Sequence, residues 1–242
     1  VDGYIRRFCT SDQSENNFIY YVLGKKERHT LADYVTGVEE TSTNKIVLYS
    51  SAQTGKTTEL KQLCWELQQS GLYLPVSFEV RTNTKLKRDD LPESQYVDGR
   101  EVVLVIDALD EVNGQKYEDL LEEIGGYAYE HPEMKMVLSY RSNFRRERQL
   151  ELFTELFLEE LSIDDARDYA AKREVNSDRF MRSVFANQLE DFIKNPFFLS
   201  VLIDAYKGKG KQLPKTKADI YKLFIKSSYD KEVKERITIC TT

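Results

Sequence analysis

Cysteine is scarce in this chain of 242 residues: Cys9, Cys64 and Cys240 are the only three. They are odd in number and far apart, without the short spacing that metal ligands on one turn would need, and a reducing, cytoplasmic compartment is the simplest reading. Histidine is limited to His29 and His131. Neither has paired ligand residues nearby, so solvated or capping roles suit them. No stretch is long and apolar enough to span a membrane, and no charged-then-apolar leader opens the chain. The opening Val1-Asp2-Gly3-Tyr4 lacks an initiator methionine, and a piece of a longer protein is the expectation. Positive charge is also short. A net charge of −6 argues against a nucleic-acid surface spread over the whole chain. Lys207, Lys209, Lys211, Lys215 and Lys217 crowd one Gly/Pro-containing segment that reads as a solvated loop. What remains is the composition of an ordinary globular protein, 40% apolar and 31% charged, long enough for a principal domain with a smaller appendage.

Periodicity organises the middle of the chain. Lys45-Ile46-Val47-Leu48-Tyr49 reads as a buried strand, Lys56 to Ser70 as an amphipathic helix ended by Gly71, and residues 72–80 as a second strand. Residues 101–107 form a continuous apolar run suited to a strand covered on both faces. Residues 116–130 have helical spacing, with a break expected at Gly125-Gly126; residues 135–141 and 156–161 read as further strands. Strands alternating with helices predict an α/β fold with a mostly parallel, five-stranded sheet. Ahead of it, residues 1–44 are weakly periodic, with a strand expected at residues 18–23 and a short helix capped by Thr30. From Ser162 onward only helices are expected: one through Arg173, one over residues 178–187, one leading to Lys194, one entered at Pro196 and ended by Gly208 and Gly210, and a last one opened by Thr216. The expected divisions are an N-terminal segment, 1–44, an α/β core, 45–161, and an all-helical domain, 162–242.

Between the first strand and its helix lies Ser50-Ser51-Ala52-Gln53-Thr54-Gly55-Lys56-Thr57-Thr58. A small-residue loop between a buried strand and a helix N-terminus is the setting of a phosphate-binding P-loop: backbone N–H groups cradle the phosphates, a lysine reaches the β and γ phosphates, and a hydroxyl meets Mg²⁺. Lys56 and Thr57 would take those last two roles. Ser50 stands where the G-x-x-x-x-G-K-[ST] pattern opens with glycine, so the loop must avoid positive φ there or accept strain. A second motif follows about fifty residues on. Asp107 closes an apolar strand, where open α/β sheets put their ligand sites, and would hold Mg²⁺ directly or through water, as a Walker B carboxylate does. Asp110 and Glu111 lie just beyond, in position to orient a water as general base.

The loop of Ser50 to Thr58 together with Asp107-Ala108-Leu109-Asp110-Glu111 resembles the NACHT family of STAND-class NTPases, which favours a small residue after the first Asp and an acidic pair shortly after. Val137-Leu138-Ser139-Tyr140-Arg141 is similar to that family's sensor segment, and the resemblance implies that Arg141 reads the γ phosphate. Asn195-Pro196-Phe197-Phe198-Leu199 and the segments after it resemble the family's helical lid, which implies that Pro196 packs near the adenine. The likeness covers about residues 45–228. It implies an ATP- or ADP-binding, Mg²⁺-dependent switch that hydrolyses slowly and self-associates on activation, fused to effector and sensor domains outside this chain, in immune or antiphage signalling. An AAA+-like remodelling motor is the alternative. A small-molecule kinase would require an acceptor pocket over residues 82–99, where no matching motif occurs.

Overall fold

In a computed structural model the chain is described over residues 4–11, 28–37, 43–51, 54–80, 86–109, 112, 115–142, 150–208, 213–214, 216, 218–227 and 229. It divides into two compact units, Val1–Glu159 and Glu160–Thr242.

The first unit is built on strands β1 (Cys9–Thr10), β2 (Lys45–Ser50), β3 (Tyr73–Glu79), β4 (Tyr96–Val97), β5 (Arg100–Asp107), β6 (Lys135–Arg141) and β7 (Thr154–Leu158). Its helices are α1 (Leu31–Thr36), α2 (Lys56–Ser70) and α3 (Gln115–Glu130). The strands form one sheet in the order β1-β7-β2-β6-β5-β3, with β4 on β5. The five strands from β7 to β3 run parallel. The sheet therefore has seven strands rather than five: the parallel core matches the expectation, and two-residue antiparallel strands, β1 on β7 and β4 on β5, extend it. Strands that short have no periodicity for a sequence reading to detect. The fifth parallel strand also sits earlier than expected, at Thr154–Leu158 instead of 156–161.

Alternation of side chains assigns the sheet's two faces. Val47, Tyr49, Val102, Leu104, Ile106, Met136 and Leu138 join one core with Leu120, Ile124 and Tyr127 of α3. Ile46, Leu48, Val103, Val105 and Val137 join the other with Leu31 and Val35 of α1 and Leu60, Leu63 and Leu67 of α2. The connection from β2 to β3 and that from β5 to β6 travel in opposite directions along the sheet. Right-handed crossovers then place α2 and α3 on opposite faces. Pro75 is accommodated because β3 is an edge strand.

α1 starts where expected, with Thr30 and Asp33 forming a reciprocal capping box. α2 runs from Lys56 to Ser70 and ends on Gly71 at φ 70°. α3 is unbroken across Gly125-Gly126, against the sequence expectation. Two interior glycines cost roughly 1 kcal/mol each relative to alanine, but Leu120, Ile124, Tyr127 and Ala128 on one face bury fully enough to hold the helix together. Lys45 latches the turn after α3. It is 5% exposed, and its Nζ donates to the carbonyls of His131 at 2.8 Å and Pro132 at 3.1 Å, and to that of Met134.

In the second unit the regular elements among the described residues are helices: α4 (Ile163–Lys172), α5 (Ser177–Ala186), α6 (Glu190–Ile193), α7 (Pro196–Gly208) and α8 (218–227). Ser162 caps α4 through a box with Asp165, Asn176 caps α5, and Thr216 and Asp219 exchange hydrogen bonds at the start of α8. Pro196 takes the first position of α7, where its missing N–H costs nothing. No helix among the described residues is long and apolar enough to cross a membrane. The strand expected at residues 18–23 lies outside the described residues, as do Lys209, Lys211, Lys215 and Lys217; Lys207 is exposed in the last turn of α7.

Candidate functional site

The carboxyl ends of β2, β6 and β5 lie side by side. Ser50 pairs with Arg141 across β2 and β6, and Ile106 pairs with Leu138 across β5 and β6. The face alternation that sends Ile46, Leu48, Val103, Val105 and Val137 toward α2 continues to Ser50, Asp107, Ser139 and Arg141. The sheet thus brings a loop end, a carboxylate, a hydroxyl and a guanidinium to one edge, on the face where α2 begins. The two motif strands, β2 and β5, are not neighbours; β6 separates them.

Ser50 is the last residue of β2, 4% exposed, and is not among the described residues with positive φ. The strain that a serine in place of glycine could have imposed is absent, because this position still belongs to the strand. Gly55 is different. It has φ 92° and serves as N-cap of α2 without any side-chain cap hydrogen bond. A residue with a Cβ would be strained there, and a glycine N-cap brings no side chain of its own to the first N–H groups of α2, a setting that suits an anion at a helix N-terminus. Thr54 Oγ1 donates to the Ser51 carbonyl at 2.7 Å, tightening the turn. Lys56 is half-buried, while Thr57 and Thr58 are exposed. Ala52 and Gln53 lie outside the described residues.

Asp107 is 8% exposed. Its Oδ1 accepts from the Ala108 N–H at 2.8 Å and from the Ser139 hydroxyl, and Ser139 Oγ in turn accepts from the same N–H at 3.2 Å. Among the described residues Oδ2 accepts no hydrogen bond. Ala108 holds φ 65°, a conformation that disfavours branched or bulky side chains. The small residue after the strand-ending aspartate thus has a physical reason: the chain must turn there with its N–H folded back onto the carboxylate. Asp110 and Glu111 lie outside the described residues.

Sequence reasoning missed the groups behind the loop. Ser139, fully buried, could have been noticed as the one small polar residue inside the apolar run of β6. Nothing in the sequence marks Arg7. It is 4% exposed; its Nη1 donates to the Thr54 carbonyl at 2.6 Å and its Nη2 to the Glu159 carbonyl. Glu59, in the first turn of α2 and 3% exposed, accepts from the Tyr4 hydroxyl at 2.8 Å. Burial pushes the Glu59 carboxyl up to about 7, against the hydrogen bond from Tyr4 and the charge of Arg7. Burial and the Glu59 charge also raise the Tyr4 hydroxyl.

Among the described residues no group of three or more His, Cys, Asp or Glu could hold a metal ion. The donors that remain are one carboxylate, Asp107, and one hydroxyl, Thr57. That set suits Mg²⁺, which is commonly held by one or two carboxylates together with substrate phosphates and water, and does not suit an all-protein cage. Pro196 lies in the second unit, at the start of α7.

No protein-family model matches the chain, and no curated protein matches it in sequence. Among solved structures it is similar to a Walker-type ATPase of Pyrococcus abyssi, with a TM-score of 0.51 and 14% identity over 87% of this chain and 74% of that one. A RuvB Holliday junction branch migration motor of Thermotoga maritima matches at 0.40, with 16% identity over 81% of this chain and 64% of that one. PCH-2 of C. elegans matches at 0.48, with 14% identity over 86% and 67%. The first similarity bears on the fold alone, which is like that of this Walker-type ATPase.

Proposed function

We propose that this chain binds Mg-ATP or Mg-ADP at the carboxyl edge of β2, β6 and β5, hydrolyses ATP slowly, and serves as the nucleotide-dependent switch of a larger, cytoplasmic signalling protein of the NACHT type. The observation that carries the reading is the convergence of a helix N-terminus that has glycine at its N-cap with Asp107 and Arg141 on one face of the sheet. Lys56 directs its charge at the β and γ phosphates. Thr57 and Asp107 Oδ2 hold Mg²⁺, directly or through water; the bound cation supplies neutralisation of phosphate charge. Ser139 and the Ala108 N–H hold Asp107 Oδ1 and so orient the carboxylate. Asp110 and Glu111 orient the attacking water, and Arg141 stabilises charge gathering on the transferred phosphoryl oxygens. The left-handed turn at Ala108 supports the NACHT reading, since it gives a reason for the small residue that the pattern favours.

A switch driven from 1:99 to 99:1 needs about 5.5 kcal/mol of differential binding between its two states. A contribution of Pro196 to nucleotide state belongs to this reading, as do self-association on activation and effector and sensor domains fused beyond this chain. Isothermal titration with Mg-ATP tests the site. Lys56→Ala is expected to weaken binding by at least about a hundredfold, since a charge-assisted contact to a phosphate is lost from a partly desolvated loop. Equal affinity in the two proteins would remove the assignment. Light scattering with Mg-ADP and with a non-hydrolysable ATP analogue tests the switch, with a larger assembly expected in the analogue; equal masses count against it.

A further inference from the structure

We propose that Arg7 is a positioning residue for the phosphate loop: from behind the loop its guanidinium holds the Thr54 carbonyl, aims the N–H groups that follow at bound phosphate, and adds a buried positive charge to the site. This rests on the nucleotide reading above and deepens it, since it names a group outside both motifs that would set phosphate affinity.

Three observations carry it. First, the geometry is a bridge. One arm of the guanidinium donates to Thr54 within the loop, the other to Glu159 just past the end of β7. Arginine's planar fork can span two such carbonyls in a fixed geometry, whereas lysine presents a single ammonium. Second, the segment bearing Arg7 is anchored on both sides. Cys9 and Thr10 pair antiparallel with Leu158 and Phe157, Glu159 N–H donates to the Phe8 carbonyl at 2.9 Å, and Tyr4 is tied to Glu59 of α2. The fork therefore works from a rigid base, and the loop's position is referred to β7 as well as to its own strand. Third, the charge stands beside the N-terminus of the helix that the loop enters. A cation beside the N-terminus of α2 opposes the helix dipole, and its desolvation is unfavourable before compensation. The two carbonyls and the nearby Glu59 offset part of that cost. An anion bound at the loop would offset more, so the site is electrostatically prepared for phosphate before any ligand arrives. Arg7 Nη1 also lies 3.8 Å from where a Cβ on Gly55 would stand, which puts the guanidinium directly against the residue whose φ opens the helix.

The test is isothermal titration of the whole chain with Mg-ATP for the wild type, Arg7→Lys, Arg7→Met and Lys56→Ala, with a nucleotide-free thermal melt of each. The expected order is wild type, then Arg7→Lys weaker by about threefold, then Arg7→Met weaker by at least about tenfold, because lysine restores the charge without the second hydrogen bond. Partial rescue by lysine is the readout that a merely structural arginine would not produce. Wild-type affinity in a folded Arg7→Met protein, with Lys56→Ala weakened, overturns the role of Arg7 and leaves the nucleotide site standing. Should Arg7→Met fail to fold, Arg7→Lys decides: a loss of about threefold or more supports the proposal, and wild-type affinity overturns it. Undiminished affinity in Lys56→Ala removes the nucleotide site, and the proposal with it.

Discussion

The two units treat charge in opposite ways. Every buried polar or charged residue among the described residues, from Arg7 and Lys45 through Glu59 and Asp107 to Ser139, belongs to the α/β unit. The helical unit buries Ala166, Tyr169, Phe180, Met181, Leu199, Leu202 and Ile203, all apolar or aromatic; its charged residues stay at least partly exposed, although Arg167 Nε is itself buried and Arg173, paired with Asp204, is half-buried. Arg167–Asp178, Lys194–Asp191 and Lys222–Asp219 all have substantially exposed partners. Burying polar groups is expensive unless each finds a partner. Arg7, Ser50, Glu59, Asp107 and Ser139 gather at the carboxyl edge of the sheet, as a site there would need, whereas Lys45, at the opposite end of β2, serves the fold.

Substitutions can sharpen or break that contrast. The largest expected effect is at Lys45, whose ammonium serves three carbonyls. Lys45→Met removes that shared donor, leaving the His131 carbonyl with the Met134 N–H, and urea denaturation should show a loss of roughly 3 kcal/mol; a loss under about 1 kcal/mol would mean that the buried lysine contributes little. Next is Glu59. Its folded carboxyl lies near 7, above the ordinary 4.5, so between those values the folded chain holds a proton that the unfolded chain has released. The contribution is fully present below about pH 4.5 and lost as pH rises through 7. Urea denaturation without nucleotide or metal should find the wild type losing on the order of 2 kcal/mol from pH 5 to pH 8, and Glu59→Gln nearly flat over that range and more stable at pH 8. A wild-type profile as flat as the variant's contradicts the burial of a strained carboxylate. The smallest effect belongs to the helical unit. Lys194→Gln breaks an exposed pair with Asp191 and should cost less than about 0.5 kcal/mol in the same assay.

Much of the α/β unit was legible because its signals are local. The run of β5 is apolar at every position from Val102 to Ile106, all buried, with even and odd members serving opposite cores; a strand covered on both faces leaves that mark in any reading. The span of α2 was legible from its periodicity and from Gly71. The glycine pair in α3 misled, because local propensity said break while the buried face held the helix. The doubt over Ser50 had the same origin: a consensus position read as a loop residue is, in the fold, the end of a strand.

By itself, then, the sequence determined the alternation of strands and helices, the two motif loops at strand ends, and the change to helices after Ser162. Only the tertiary structure decided that β6 lies between the two motif strands, that Ser139 holds Asp107, and that Arg7 grips the loop. Those contacts join residues 32 and 47 positions apart, and Lys45 reaches 86 positions to His131. Periodicity and turn chemistry act over a few residues and are written into the chain's neighbours. Partners at such separations depend on the order in which strands assemble, which no local pattern records.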